Sequence, residues 1–236
     1  MNPPQNATTL IGLRHPPIAI GFLSEPPEDV PRWTGPEVPA GCVFWRKAME
    51  GGAFYTVPAD HYNCAVGCHT HCIPLPPERT GELDATIGYM VEHDYLSLAD
   101  VEQIPTLAGS PGIVAFAPVD SARFPADLIV IAATPAQTMV VYEALIKAGV
   151  GEPRTQALGR PACAVLPLTV ASGHAAISVG CMGNRTFTEL PDGEMYVCIP
   201  AAQWSRVADA LVEAHAANEH MARYYADRER QIASER

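Results

Sequence analysis

The segment Leu-Ile-Val-Ile-Ala-Ala at 128–133, followed at once by Thr134-Pro135-Ala136-Gln137, constrains this chain most. An apolar run with no polar alternation reads as a strand covered on both faces. Thr134 then supplies an N-cap, Pro135 the first helical position and Gln137 the return half of a capping box. The helix they start continues over 139–148 and is closed by Gly149. A doubly covered strand feeding directly into a helix points to an α/β-type fold.

Other segments fit that frame. Ile18-Ala-Ile-Gly-Phe-Leu23 predicts a strand, residues 42–49 a helix ended by Gly51-Gly52, and residues 53–57 a second strand. Cys64 opens a turn-rich stretch, Pro77 precedes a helix candidate, Tyr89-Met-Val91 has strand character, and Ser97-Leu-Ala-Asp100 suits a capping-box helix start. Residues 112–117 and 195–199 predict further strands. The last helix spans about 201–221 with Trp204, Val207, Ala208, Leu211 and Val212 on one face, and 223–236 reads as a charged, solvated or frayed tail.

Charge and composition narrow the functional classes. With 26 acidic against 15 basic residues, a net charge of −11 and no Lys/Arg cluster, neither a nucleic acid nor an anionic membrane surface is expected as a partner. The first ten residues lack a basic and apolar leader pattern, and no apolar run reaches the ~18 residues of a membrane span, so the expected compartment is the cytoplasm. Seven cysteines are an odd count for a disulfide framework, which favours reduced thiols and metal ligation.

The cysteines fall at corresponding places in two halves. A strand at 18–23 leads to Cys42, the Gly51-Gly52 break, a strand, Cys64 and then Gly67; a strand at 128–133 leads to Cys163, the Ser172-Gly173 break, an apolar segment, Cys181 and then Gly183. The first pair is spaced Cys-x21-Cys and the second Cys-x17-Cys. The expected architecture is therefore one compact unit of two related halves, 1–110 and 111–222, about a pseudo-twofold axis, with 223–236 as a tail. Packed that way, Cys42, Cys64, Cys163 and Cys181 converge. Cysteine is also among the most buried residue types, so a purely core role is the plain competitor. Glycine beside a cysteine allows close backbone approach and free N–H groups for sulfur, which favours ligation.

Cys64-Ala-Val-Gly-Cys68-His69-Thr70-His71-Cys72 is the densest chemical segment. It misses the Cys-x3-Cys-x2-Cys pattern of radical enzymes, since His71 stands at the last position and Cys72 one place later. A zinc or copper site on Cys64, Cys68, His69, His71 and Cys72 is the alternative, although no paired Cys-x2–4-Cys recurs elsewhere. Soft thiolates from distant segments suit an iron–sulfur cluster, with 4Fe–4S expected on Cys42, Cys64, Cys163 and Cys181, Cys68 able to replace one ligand, and Gly67 and Gly183 beside it. Arg185 is the candidate for an anionic substrate and His61 for proton transfer. Cys198, inside an apolar strand, reads as core. A cysteine-nucleophile enzyme is a third reading. No phosphate loop, dinucleotide fingerprint, serine elbow or His-Glu-x-x-His occurs.

With Cys42, Cys64, Gly-Arg-Pro-Ala-Cys163-Ala, Gly180-Cys181-Met-Gly-Asn-Arg185 and the 195–200 strand in view, the chain resembles the DUF169 family of uncharacterised prokaryotic proteins over roughly residues 11–213. The resemblance implies a prokaryotic, cytoplasmic protein and brings no reaction with it. The expectation is an iron–sulfur protein, leaning to an enzyme that uses the cluster for redox, Lewis-acid or sulfur chemistry on a small molecule, or passes electrons to a redox partner. Homo-oligomerisation is left open.

Overall fold

The computed structural model describes residues 7–157 and 161–234. Residues 1–6, Gly159 and Arg160 of the cysteine–alanine segment, and the last two residues of the tail lie outside the described residues.

Among the described residues one sheet forms from β1 (Ile18–Leu23), β2 (Phe54–Thr56), β3 (Ile113–Pro118), β4 (Leu128–Ala133), β5 (Ala176–Ser178) and β6 (Met195–Pro200). Its spatial order is β2-β3-β1-β4-β6-β5, and every neighbouring pair is antiparallel. The helices are α1 (Ala7–Leu10), α2 (Cys42–Met49), α3 (Ala65–Thr70), α4 (Glu82–Glu92), α5 (Leu98–Val101), α6 (Pro135–Lys147), α7 (Val165–Ser172), α8 (Met182–Thr188) and α9 (Trp204–Ser234). The chain is thus of the mixed α/β class.

Helices cover both faces of the sheet because its strands are apolar on both. Ile18, Ile20, Phe116, Leu128, Val130 and Cys198 face one side, where they meet Phe44, Trp45, Val165 and Leu166 from α2 and α7. The alternate residues Ala19, Ile129, Ile131, Val197 and Ile199 face the other, against Val141, Leu145, Val207 and Leu211 from α6 and α9. β4 is buried at all six positions, as its unbroken apolar run predicts. Thr134 caps α6 with the reciprocal Gln137 bond, and Gly149 leaves the helix at φ 69°.

Four local expectations change. Tyr89-Met-Val91 lies inside α4, because three apolar residues carry no period of their own and the helix runs on until Asp94 turns at φ 53°. Residues 65–70 form a short helix rather than turns, with Cys64 as its N-cap. α9 continues to Ser234, through the charged segment read as tail. Its buried face carries Val207, Ala210, Leu211 and Ala214, whereas Val212 is exposed, so the stripe is rotated from the one expected.

Candidate functional site

Cys42 is the first residue of α2, and the sequence behind it fixes where that helix starts. Phe44 and Trp45 are fully buried one turn on. The Phe44 ring packs among Trp33, Phe54, His61 and Phe116 at centroid distances of 5.1–5.9 Å. Trp45 stands edge-on to Tyr196 at 5.2 Å. These ring contacts hold the N-terminal end of α2 against the sheet and make Cys42 a fixed point.

The other three thiols arrive from separate segments. Cys64 caps α3, its Sγ accepting hydrogen bonds from the N–H of Gly67 at 3.3 Å and from the N–H of Gly41. Cys181 caps α8 in the same way, with Sγ 3.5 Å from the N–H of Asn184. Cys163 sits in the single turn Ala162–Ala164 that leads into α7. All four line one cavity of about 320 Å³, together with His61, Gly67 and Gly183. Every pair among the four lies within electrostatic reach.

Polar side chains tie the thiols across the molecule. The Thr70 hydroxyl on α3 lies 3.3 Å from Cys163 Sγ, and Asn184 on α8 hydrogen-bonds Cys42 while its Nδ2 donates to the Tyr196 hydroxyl at 3.3 Å. Gly41 brings the backbone close to His61: a Cβ there would stand 3.0 Å from His61 Nδ1, and the ring would have to give. Gly180, just before Cys181, turns at φ 82°, and a Cβ would meet Asn184 Oδ1 at 2.9 Å.

Burial dominates the acid–base character of the site. It pushes the Cys42 thiol up to about 12, against a smaller opposing hydrogen bond from Asn184. It also raises Cys64, against the Gly67 and Gly41 N–H groups, and lifts Cys163 well above the usual thiol value. His61 is lowered to about 3 by burial, with the neighbouring His71 adding to the shift, so it is neutral at ordinary pH. The Thr56 hydroxyl donates to the Val114 carbonyl at 3.1 Å and stands 2.8 Å from His61 Nε2. That arrangement puts the imidazole proton on Nε2 and leaves the Nδ1 lone pair beside Gly41 at the cavity wall.

Other sequence candidates are directed elsewhere. Cys68 Sγ donates to the His61 carbonyl at 3.2 Å, Cys72 Sγ to the Leu107 carbonyl at 2.8 Å, and Cys198 is enclosed in the core. His71 Nδ1 is held by the Gly67 carbonyl at 2.7 Å; His69 and His71 both reach the cavity wall. The five donors of the 64–72 segment therefore do not gather at one point. Among the described residues no three or more His, Cys, Asp or Glu side chains are placed to hold a single metal ion. Arg185 spends its guanidinium on backbone carbonyls, reaching Val179 at 2.6 and 3.1 Å, Pro191 at 3.1 Å and Glu194 at 3.0 Å, and is not among the residues that line the cavity.

The family assignment follows the segments that build this site. The DUF169 family, described as uncharacterised ArCR, COG2043, matches residues 8–210. The chain belongs to the DUF169 family. No curated protein and no solved structure matches it significantly. The family match thus spans all four cavity thiols and all six strands of the sheet. No helix among the described residues is long and apolar enough to cross a membrane.

Within this DUF169 chain the sequence reading misses Thr70, Asn184 and Tyr196, whose polar atoms touch thiols or each other only across the fold. It also misses the cavity roof, Leu83, Thr86, Ile87 and Met90 of α4. The i, i+3, i+4, i+7 spacing of those four is the signal that marks them.

Proposed function

We propose that this protein holds an iron–sulfur cluster on Cys42, Cys64, Cys163 and Cys181, at the junction of two related halves, and uses it in chemistry on a small molecule. The observation that carries the reading is the convergence of four thiols from four separate segments on one cavity, while Cys68, Cys72 and Cys198 are turned away. Thiols brought to one cavity from separate segments suit an iron–sulfur cluster, whose ligands are often far apart in sequence.

The residues present fit such a group. Backbone N–H groups of Gly41, Gly67 and Asn184 already point at sulfur, and they would offset thiolate charge. Buried neutral thiols must lose protons on ligation, so loading becomes easier as pH rises. A bound cluster supplies one-electron chemistry or, at an iron without a cysteine, Lewis acidity. Neutral His61 offers its Nδ1 lone pair as a hydrogen-bond acceptor at the wall.

The reading of two related halves is part of the proposal, and the strand order supports it. β1 and β4 are antiparallel neighbours in the middle, β3 and β6 flank them, and the short β2 and β5 form the two edges. Cys42 and Cys163 precede or begin α2 and α7, and Cys64 and Cys181 each cap the next helix on their strand pair. Thr70 of the first half touches Cys163 of the second, and Asn184 of the second touches Cys42 of the first. The division then falls after β3 rather than at residue 110, because β3 lies between β1 and β2.

Anaerobic purification with a visible spectrum and iron and sulfide analysis tests the reading. Cys42→Ser, Cys64→Ser, Cys163→Ser and Cys181→Ser are each expected to lose the absorbance and most of the iron, while Cys72→Ser and Cys198→Ser retain both. A colourless, iron-free wild-type protein after anaerobic reconstitution would overturn it.

A further inference from the structure

The thiols form only part of the cavity wall, and the rest has a different chemistry. α4 is an amphipathic helix with Leu83, Thr86, Ile87 and Met90 on one stripe, yet neither α4 nor α5 has a buried residue. A stripe at this spacing ordinarily closes against core. Here it lines the same cavity as the cysteines.

The segment carrying that stripe is tied down at its ends and at two points between them, one of them the 3.0 Å bond from Arg79 to the Asn63 side-chain oxygen. The Leu107 N–H donates to the Thr70 carbonyl at 2.9 Å, and Cys72 Sγ–H donates to the Leu107 carbonyl at 2.8 Å, so the two ends of the segment meet. The N–H of Met182, next to Cys181, donates to the Tyr95 hydroxyl at 3.3 Å. Residues between these points form one wall of the thiol cavity, its roof.

We propose that the space under this roof binds an uncharged, largely apolar small molecule against the cysteine site. None of the described residues lining the cavity is an aspartate, glutamate, lysine or arginine, so an ionic ligand would find no permanently charged partner there. Ile104, Phe187 and Met182 extend the apolar wall. The whole cavity of about 320 Å³, its thiol end included, lies at the lower end of the roughly 300–1,000 Å³ of small-molecule sites, so beside a cluster the molecule is a small one. Apolar cavities of about 150 Å³ already take up benzene. Asn63, Thr86 and the neutral His61 and His71 offer the few polar contacts that orient a ligand in such a site. The inference rests on the cluster reading only in making this molecule a substrate; its binding needs no iron.

Equilibrium dialysis of anaerobically purified full-length protein tests it, with indole and 1-naphthol as uncharged probes and indole-3-acetate and 1-naphthoate as their anionic counterparts. The expected result is one saturable site per chain for at least one uncharged probe, with the matching anion at least tenfold weaker. Ile87→Asp, on the inner stripe, should weaken that probe at least tenfold at unchanged melting temperature. Tyr89→Asp, on the outer face of α4, should leave binding unchanged. Absent saturable binding, equal affinity for the anions, or an Ile87→Asp protein that binds like the wild type would each overturn the proposal. Iron and sulfide measured on the same samples separate the two readings. A brown protein that takes up no probe loses the apolar site and keeps the cluster, and an iron-free protein that binds the probe does the reverse.

Discussion

Cys198 shows what burial alone does to a thiol in this fold. It is fully enclosed in β6, and burial raises it from 9.0 to about 12, with a hydrogen bond from Thr169 as the smaller opposing effect. In the unfolded chain the same thiol ionises near 9, so between about 9 and 12 the folded state holds a proton that the unfolded state has lost. Stability is therefore intact below pH 9 and falls as pH rises, by about 1.4 kcal/mol per pH unit for each such thiol. Urea denaturation of metal-free Cys198→Ala protein between pH 8.5 and 10.5 is expected to show a slope shallower than wild type by about that amount. An unchanged slope would mean that Cys198 titrates normally. The sequence separates Cys198 from the cavity thiols because it stands within an apolar strand, while Cys64 and Cys181 stand at breaks beside glycine. It does not separate Cys68 from Cys64, since the carbonyl that takes the Cys68 thiol belongs to His61 and is set by the fold.

Arg185 carries a comparable lesson for α8 and the turn after it. Read along the sequence, an arginine four residues past a candidate ligand suggests an anion partner. In the fold, one guanidinium joins Val179 before the helix to Pro191 and Glu194 after it, through a planar fork that lysine lacks. Arg185→Lys should cost about 2–4 kcal/mol, a few charge-assisted hydrogen bonds' worth, measured by urea denaturation. A role confined to an anionic ligand predicts unchanged stability instead. The unbroken apolar run of β4 and the complete cap of α6 were readable in advance, and α2 was readable as a stretch without breakers ended by Gly51-Gly52. α4 was readable only as a helix candidate, and Tyr89-Met-Val91 within it was mistaken for a strand. Three apolar residues fit either period, and the stripe that decides the matter runs through Leu83 to Met90.

Across the molecule, the cysteines of the sequence pointed to four thiols that line one cavity, because a thiol is a marked residue type wherever it stands. The roof was hidden for the converse reason. The long arch between α3 and β3 meets the cavity through Leu83, Thr86, Ile87 and Met90, common residue types that nothing along the chain ties to the cysteines. α9 departs from the compact unit in another way. Its contacts with α6 end near Asn218, whose side chain reaches Glu143 and the Ala214 carbonyl, and every described residue from Met221 onward is exposed. Met221, Tyr224, Tyr225 and Ile232 are apolar side chains on that exposed stretch. No core depends on them within one chain, and helix ends of this kind fray at little cost. A protein ending at His220 should therefore melt within about 2 °C of the full chain. It should also bind the same iron per chain, with far-ultraviolet helicity reduced. A fall beyond about 5 °C would mean that this stretch is covered in solution. Static light scattering of both proteins then decides whether a second copy covers it, since only in that case does the truncation change the number of chains per particle.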